Sequence, residues 1–294
     1  MLQVILTVSL LLSSAIAFAQ GNAPKNKSQK TFTIGLLGDS ISTGFDSEKF
    51  LDNRNLSWAT GLDERIQSHA TRLKKILEPS GIQVEVRNAA GAGARSNKLD
   101  TQWAWLESSN PDYLAVFIGA NDICKPYDLA GKSISYDDIQ ADYLKNIRDL
   151  IANVRQKNKL TRILFLGIPD VVRVARLYEK HKNDPLVSWV KTCPTKWRLG
   201  GLVNYRLCKP ALYEGNNEES RTEFENARLS TNKEVAKLVE DLNDPYIKFD
   251  NSTAVEKFEI EFISELDCFH PSIKGQKILS EKTFDEKFAL KDFL

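Results

Sequence analysis

The sequence predicts an α/β protein, a three-layer α/β/α sandwich around a mainly parallel sheet of about five strands. Two runs, YLAVFIG at 113–119 and RILFLG at 162–167, are apolar after their first residues, Tyr113 and Arg162, as strands covered on both faces are. An amphipathic helical pattern lies between them, and strand-like and helical patterns alternate along the rest of the chain. Such alternation favours parallel strands joined by right-handed crossovers.

The first strand is expected at 31–38, an apolar and partly alternating run. A helical pattern follows at 64–77 and stops at Pro79-Ser80-Gly81, and a second, plainly alternating strand covers 82–88. After the strand at 113–119, residues 136–154 place Ile139, Tyr143, Ile147, Leu150, Ile151 and Val154 on one helical face. Ser135 suits the N-cap of that helix, with Asp138 three residues on. The strand at 162–167 is next, and 246–250 gives a weaker fifth.

Residues 183 to about 215 break this rhythm with Trp189, Trp197, two cysteines, three prolines and the Gly200-Gly201 pair. They read as an insertion, either a cover over a substrate cleft or simple decoration. No internal repeat or low-complexity segment is present.

Residues 1–19 form an apolar run ending in Ala17-Phe18-Ala19, the small-x-small pattern that signal peptidases cut after. Export, to a periplasm or beyond the cell, with cleavage near Ala19 is the expectation. Residues 20–30 read as a flexible lead-in and 31–294 as one domain. Lys and Arg total 40 against 39 Asp and Glu, interspersed. That balance argues against nucleic acid and anionic membranes as partners and for a small molecule. Four cysteines in an exported chain predict two disulfides. Three pairings are open, and Cys193 with Cys208, closing the short loop, is favoured.

In an open parallel sheet ligands bind beyond the carboxyl ends of the strands. Three loops there are rich in small and polar residues: Gly38-Asp39-Ser40-Ile41-Ser42, then 88–94 (NAAGAGA), then Gly119-Ala120-Asn121-Asp122. Acyl transfer needs a nucleophile, a base, a group that orients the base, and donors for the oxyanion. Ser40 offers a hydroxyl at what reads as a strand-to-helix turn, Gly93 an unobstructed N–H, and Asn121 a neutral NH₂ donor. The base comes from His69, His181 or His270. His69 lies within a helical pattern and His181 in a charged run. His270 ends Asp267-Cys268-Phe269-His270, where Asp267 can turn back to accept Nδ1–H and leave Nε2 for Ser40. A histidine base predicts that kcat/KM falls below about pH 6 to 7.

At these residues the sequence resembles the GDSL/SGNH hydrolases. GDSIS at 38–42, NAAGAGA at 88–94, GAND at 119–122 and DCFH at 267–270 are similar to the family's four blocks. The resemblance implies the flavodoxin-like SGNH fold, Ser40 as nucleophile, His270 as base, Asp267 as its orienting partner, and an oxyanion hole of Ser40, Gly93 and Asn121. Gly91 competes for the glycine role, but the spacing of five from Asn88 favours Gly93. No metal and no cofactor are implied.

SWATG at 57–61, IGANDIC at 118–124 and DCFHPS at 267–272 look like the phospholipase B-like branch. That branch usually carries two cysteines after its asparagine block, whereas Cys124 stands alone here. The implied activity is hydrolysis of carboxylic esters, acyl lipids among them, with at most transient contact with a membrane surface. Carbohydrate O-deacetylation and turnover-free binding of a lipid or glycan are the alternatives. Trp103 and Trp105 fit either an acyl pocket or ordinary packing, with packing favoured. Oligomeric state leaves no mark in the sequence.

Overall fold

The computed structural model describes residues 30–124, 134–200, 208–212 and 218–294. The expected signal peptide, and all of the lead-in except Lys30, lie outside them. Five strands, β1 (Thr31–Gly38), β2 (Gln83–Asn88), β3 (Tyr113–Phe117), β4 (Arg162–Leu166) and β5 (Ile247–Asp250), form one sheet in the order β2-β1-β3-β4-β5. Every pairing is parallel; in register, Ile34 of β1 faces Val86 on one side and Tyr113 on the other.

Every residue of β3 and β4 is buried, which explains why their sequences show no polar alternation. One face of the sheet packs Phe32, Ile34 and Leu164 against α1 (His69–Leu77) and, near the C-terminus, α10 (Ile273–Thr283) and α11 (Glu286–Ala289). The other packs Leu114, Val116 and Phe165 against α2 (Leu99–Leu106), α4 (Tyr136–Lys157) and α8 (Glu218–Leu242). All six apolar positions read on α4 are buried, and the Ser135 side chain accepts the Asp138 N–H as its cap.

α1 begins only at His69, because Ser68 caps it by accepting the Thr71 N–H and residues 64–66 form a turn. Four short helices complete the described chain: α3 (Ala120–Cys124), α6 (Cys193–Gly200), α7 (Lys209–Leu212) and α9 (Ser252–Val255); α5 (Val172–His181) precedes α6. Among the described residues no helix is long and apolar enough to cross a membrane.

The described part of the insertion is largely helical and joined to the core. A 3₁₀ turn (Pro185–Thr192) leads into α6, and Val190, Cys193 and Trp197 are buried in the larger apolar cluster. Its cysteines do not pair with each other. The bridges are Cys124–Cys208 and Cys193–Cys268, with Cα separations of 4.4 and 5.4 Å, so the favoured Cys193–Cys208 pairing is wrong. Loop length ranks pairings only when the chain is otherwise free; here the fold sets each insertion cysteine beside a different loop.

Candidate active site

β1 ends at Gly38, where the neighbours leave no room for a side chain: a Cβ there would lie 2.4 Å from the Phe117 carbonyl oxygen. The Gln102 side chain of α2 reaches across and bonds both polar atoms of Gly38, accepting the N–H at 2.9 Å and donating to the carbonyl at 2.8 Å. The chain is thereby fixed immediately before Asp39 and Ser40. Asp39 turns it, accepting the Ile41 N–H on Oδ1 and the Ser42 and Thr43 N–H groups on its carbonyl.

No helix follows, contrary to the strand-to-helix turn expected. Gly44 N donates to Ile41 O and Phe45 N to Ser40 O, spacings of three and five that make successive turns rather than α-helix. Ser40 is buried at 8 % exposure, and among the described residues its N–H has no acceptor.

The loop after β2 separates the two candidate glycines. Gly91 donates its N–H to the Gly38 carbonyl at 3.1 Å and is thus committed to the scaffold. Gly93 has φ of 72°, a left-handed conformation that favours glycine, and its N–H finds no acceptor among the described residues. From the loop after β3, Asn121 gives one amide N–H to the Ala94 carbonyl at 3.1 Å, which leaves the second available. Its neighbour Asp122 accepts the Ser96 N–H and hydroxyl, clasping the glycine and asparagine loops together. Burial pushes the Asp122 carboxyl up to about 6.

The Asp267–His270 segment is wound around its own carboxylate. Asp267 Oδ1 accepts the N–H groups of Phe269 and His270 at 2.9 and 3.0 Å, while Oδ2 bonds His270 Nδ1. That acceptor assigns the proton to Nδ1 and leaves the Nε2 lone pair for the Ser40 hydroxyl, 2.7 Å away. Burial disfavours the charged imidazole, but the Asp267 carboxylate beside it outweighs this and holds the His270 pKa above 6.5. Burial would likewise raise Asp267, yet the imidazole's charge and the bonds it receives bring its carboxyl below 3.8. At the end of β1, burial pushes Asp39 up to about 7.

The other two histidines serve elsewhere. His69 is fully buried between the Tyr113 hydroxyl and Thr283 Oγ1, and burial pushes its pKa down to about 3. His181 sits beside Asp184 at 3.3 Å.

Next to the Ser40–His270 pair a largely apolar cavity opens, walled by Ile41, Asn121, Val171, Phe258 and Phe269 and by the Cys124–Cys208 disulfide. Neither Trp103, buried in the core, nor Trp105, 63 % exposed, lines it.

Residues 34–283 match the model of the GDSL-like lipase/acylhydrolase family. The chain belongs to that family. It is therefore an ester hydrolase built on a five-stranded parallel sheet. No protein of curated function matches the sequence. Among solved structures it is similar to the lipase Lip_vut3 from a goat rumen metagenome, with TM-score 0.52 and 15% identity over 85% of this chain and 95% of that one. A catalytic mutant of the acetylxylan esterase Axe2 from Geobacillus stearothermophilus gives 0.46 and 16%, covering 85% and 91%. The lipase/acylhydrolase from Enterococcus faecalis gives 0.45 and 15%, covering 85% and 92%. At such identity the rumen lipase speaks for the shared fold alone.

Gln102, Asp122 and Asp46 (described below) escaped the sequence reading. Asp122 stood inside a quoted block, but nothing local named Ser96 as its partner. Gln102 and Asp46 carry no pattern in sequence.

Proposed function

We propose that the protein is an exported serine esterase that hydrolyses carboxylic esters, those of acyl lipids in particular, through an acyl-Ser40 intermediate. The observation that carries this reading is His270, whose two ring nitrogens bridge the Ser40 hydroxyl and the Asp267 carboxylate. As Ser40 Oγ attacks the ester carbonyl, Nε2 takes the hydroxyl proton, and Asp267 stabilises the imidazolium formed. The N–H groups of Ser40 and Gly93 and the spare Asn121 amide N–H serve the developing oxyanion. Nε2 returns the proton to the departing alcohol; water then repeats the sequence in reverse and frees the acid. The apolar cavity suits an acyl chain, and two disulfides suit an oxidising compartment outside the cytosol.

The test is fluorophosphonate labelling with peptide mapping, beside turnover of p-nitrophenyl esters of graded chain length. Labelling at Ser40, and a loss of about 10³-fold or more in kcat for Ser40→Ala, are expected. Turnover confined to acetyl esters would replace the lipid reading with deacetylation. A folded protein that neither labels nor turns over would leave a binding protein.

A further inference from the structure

Behind the Asp267–His270 pair stands a carboxyl group that the reaction as described does not use. Asp46 lies in the turns after β1, is 6 % exposed, and has φ of 53°, unusual for a residue with a side chain. Local bonds hold it there: its N–H donates to the Leu51 carbonyl at 2.9 Å, and its Oδ1 accepts the Leu51 N–H at 2.6 Å. Two further bonds join this turn to the histidine loop, Ser264 Oγ donating to the Asp46 carbonyl at 2.5 Å and Ser47 Oγ to the Pro271 carbonyl at 2.9 Å. The result is a compact cluster in which one oxygen of Asp46, one of Asp267 and a ring nitrogen of His270 lie within 4.8 Å of one another. Two ionised carboxyls this close repel, so the charge of each bears on the other.

We propose that Asp46 is a positioning residue for the base: the turn after β1 presses a second carboxyl against Asp267, fixing its orientation and modulating the charge carried by the Asp267–His270 pair. This rests on the reading of His270 as the base of ester hydrolysis. The charged groups that bear on His270 are Asp267 from its own loop, Asp46 from the turn and Asp39 from the end of β1, all anionic when ionised. On the insertion side, Lys196 of α6 donates to the Glu265 carbonyl at the rim of the same loop. Burial and the Asp267 charge push the Asp46 acid up to about 6, and an ionised Asp46 in turn favours the imidazolium. Removing its charge therefore lets His270 lose its proton at lower pH.

Asp46→Asn tests the charge alone, because the amide has the same size and its oxygen can still accept from Leu51. The acid limb of kcat/KM is expected to move to lower pH, and the His270 imidazole, followed by proton NMR, to titrate lower by the same amount. Asp46→Ala removes the support as well, and a loss of about 10- to 100-fold in kcat with little change in KM is expected. An unmoved limb and an unmoved NMR titration in Asp46→Asn would overturn the proposal, as would unchanged kcat in Asp46→Ala. If the variants do not fold, carbon NMR of the wild-type carboxyls decides: Asp46 titrating as an ordinary aspartate near 3.9, without response to His270, is again the overturning result. The NMR readings do not depend on turnover. A failure of the esterase reading would appear instead as absent Ser40 labelling alongside an intact titration shift.

Discussion

The two halves of the site are built in different ways. Ser40, Gly93 and Asn121 ride on loops that leave the adjacent strands β1, β2 and β3, so the parallel ladder sets their spacing directly. Asp267 and His270 ride on a loop that leaves no strand. That loop is held by the Cys193–Cys268 disulfide, by Trp197 Nε1 donating to the Cys268 carbonyl at 3.0 Å, and by an isolated bridge between Ile263 and Pro271. The half that carries Ser40 thus inherits its geometry from the sheet, and the half that carries His270, the base in the proposed reaction, borrows it from the insertion. Damage to one half should read out differently from damage to the other.

The largest effect is expected from Asp267→Asn, which alters the base half chemically while leaving its shape. The amide oxygen can keep the Phe269 and His270 N–H bonds, but the amide nitrogen donates to Nδ1 and forces the proton onto Nε2. A base with the wrong tautomer cannot accept the Ser40 proton, and kcat should fall by about 10⁴-fold with the fold intact. Steady-state kinetics beside circular dichroism check this; a loss under tenfold would mean that Asp267 does not orient His270.

The second effect separates the halves mechanically. Each disulfide closes a long loop, with sequence separations of 84 and 75, and removing either should cost about 2–5 kcal/mol of stability. Their effects on turnover should differ. Cys268 lies between Asp267 and His270, so Cys193→Ser with Cys268→Ser loosens the base itself. Cys124 lies beyond Asp122, whose bonds to Ser96 keep the Asn121 loop in place, so Cys124→Ser with Cys208→Ser should spare kcat and alter the cavity wall. Thermal melts and ester-length profiles of the two double variants test the contrast, and equal losses of kcat would erase it.

The same division decided what the sequence made legible. β3 and β4 announce themselves because strands buried on both faces must be largely apolar, and α4 because one of its faces meets the sheet. Ser40, Gly93 and Asn121 were picked out because they follow strands, and the structure does set them on loops that leave three adjacent strands; His270 was picked out for the carboxylate three residues before it, and the structure joins that pair by a hydrogen bond. The cysteine pairing was not legible, since a bridge follows proximity in space and the insertion cysteines approach two distant loops. The insertion's helices did leave a signal: Pro185 starts the 3₁₀ turn and Pro194 sits in the first turn of α6, positions where proline favours helix rather than loop. Asp46 and Gln102 were invisible because each acts on a segment far away in sequence.

Gln102 supplies the smallest test, and it addresses the sheet-built half. Gln102→Leu keeps much of the side chain's bulk but removes both bonds to Gly38. The two backbone atoms are not equally exposed to that loss. The Gly38 carbonyl still accepts the Gly91 N–H, whereas the Gly38 N–H loses its side-chain acceptor in a buried site. The cost should therefore be close to that of one buried unsatisfied donor, about 1–3 kcal/mol, seen as a lower melting temperature. Turnover should fall only modestly, because the Asp39 N–H still bonds the Phe117 carbonyl and keeps Ser40 against β3. A kcat collapse without a stability loss would show that the ladder alone does not hold Ser40, and that this half too depends on a single borrowed contact.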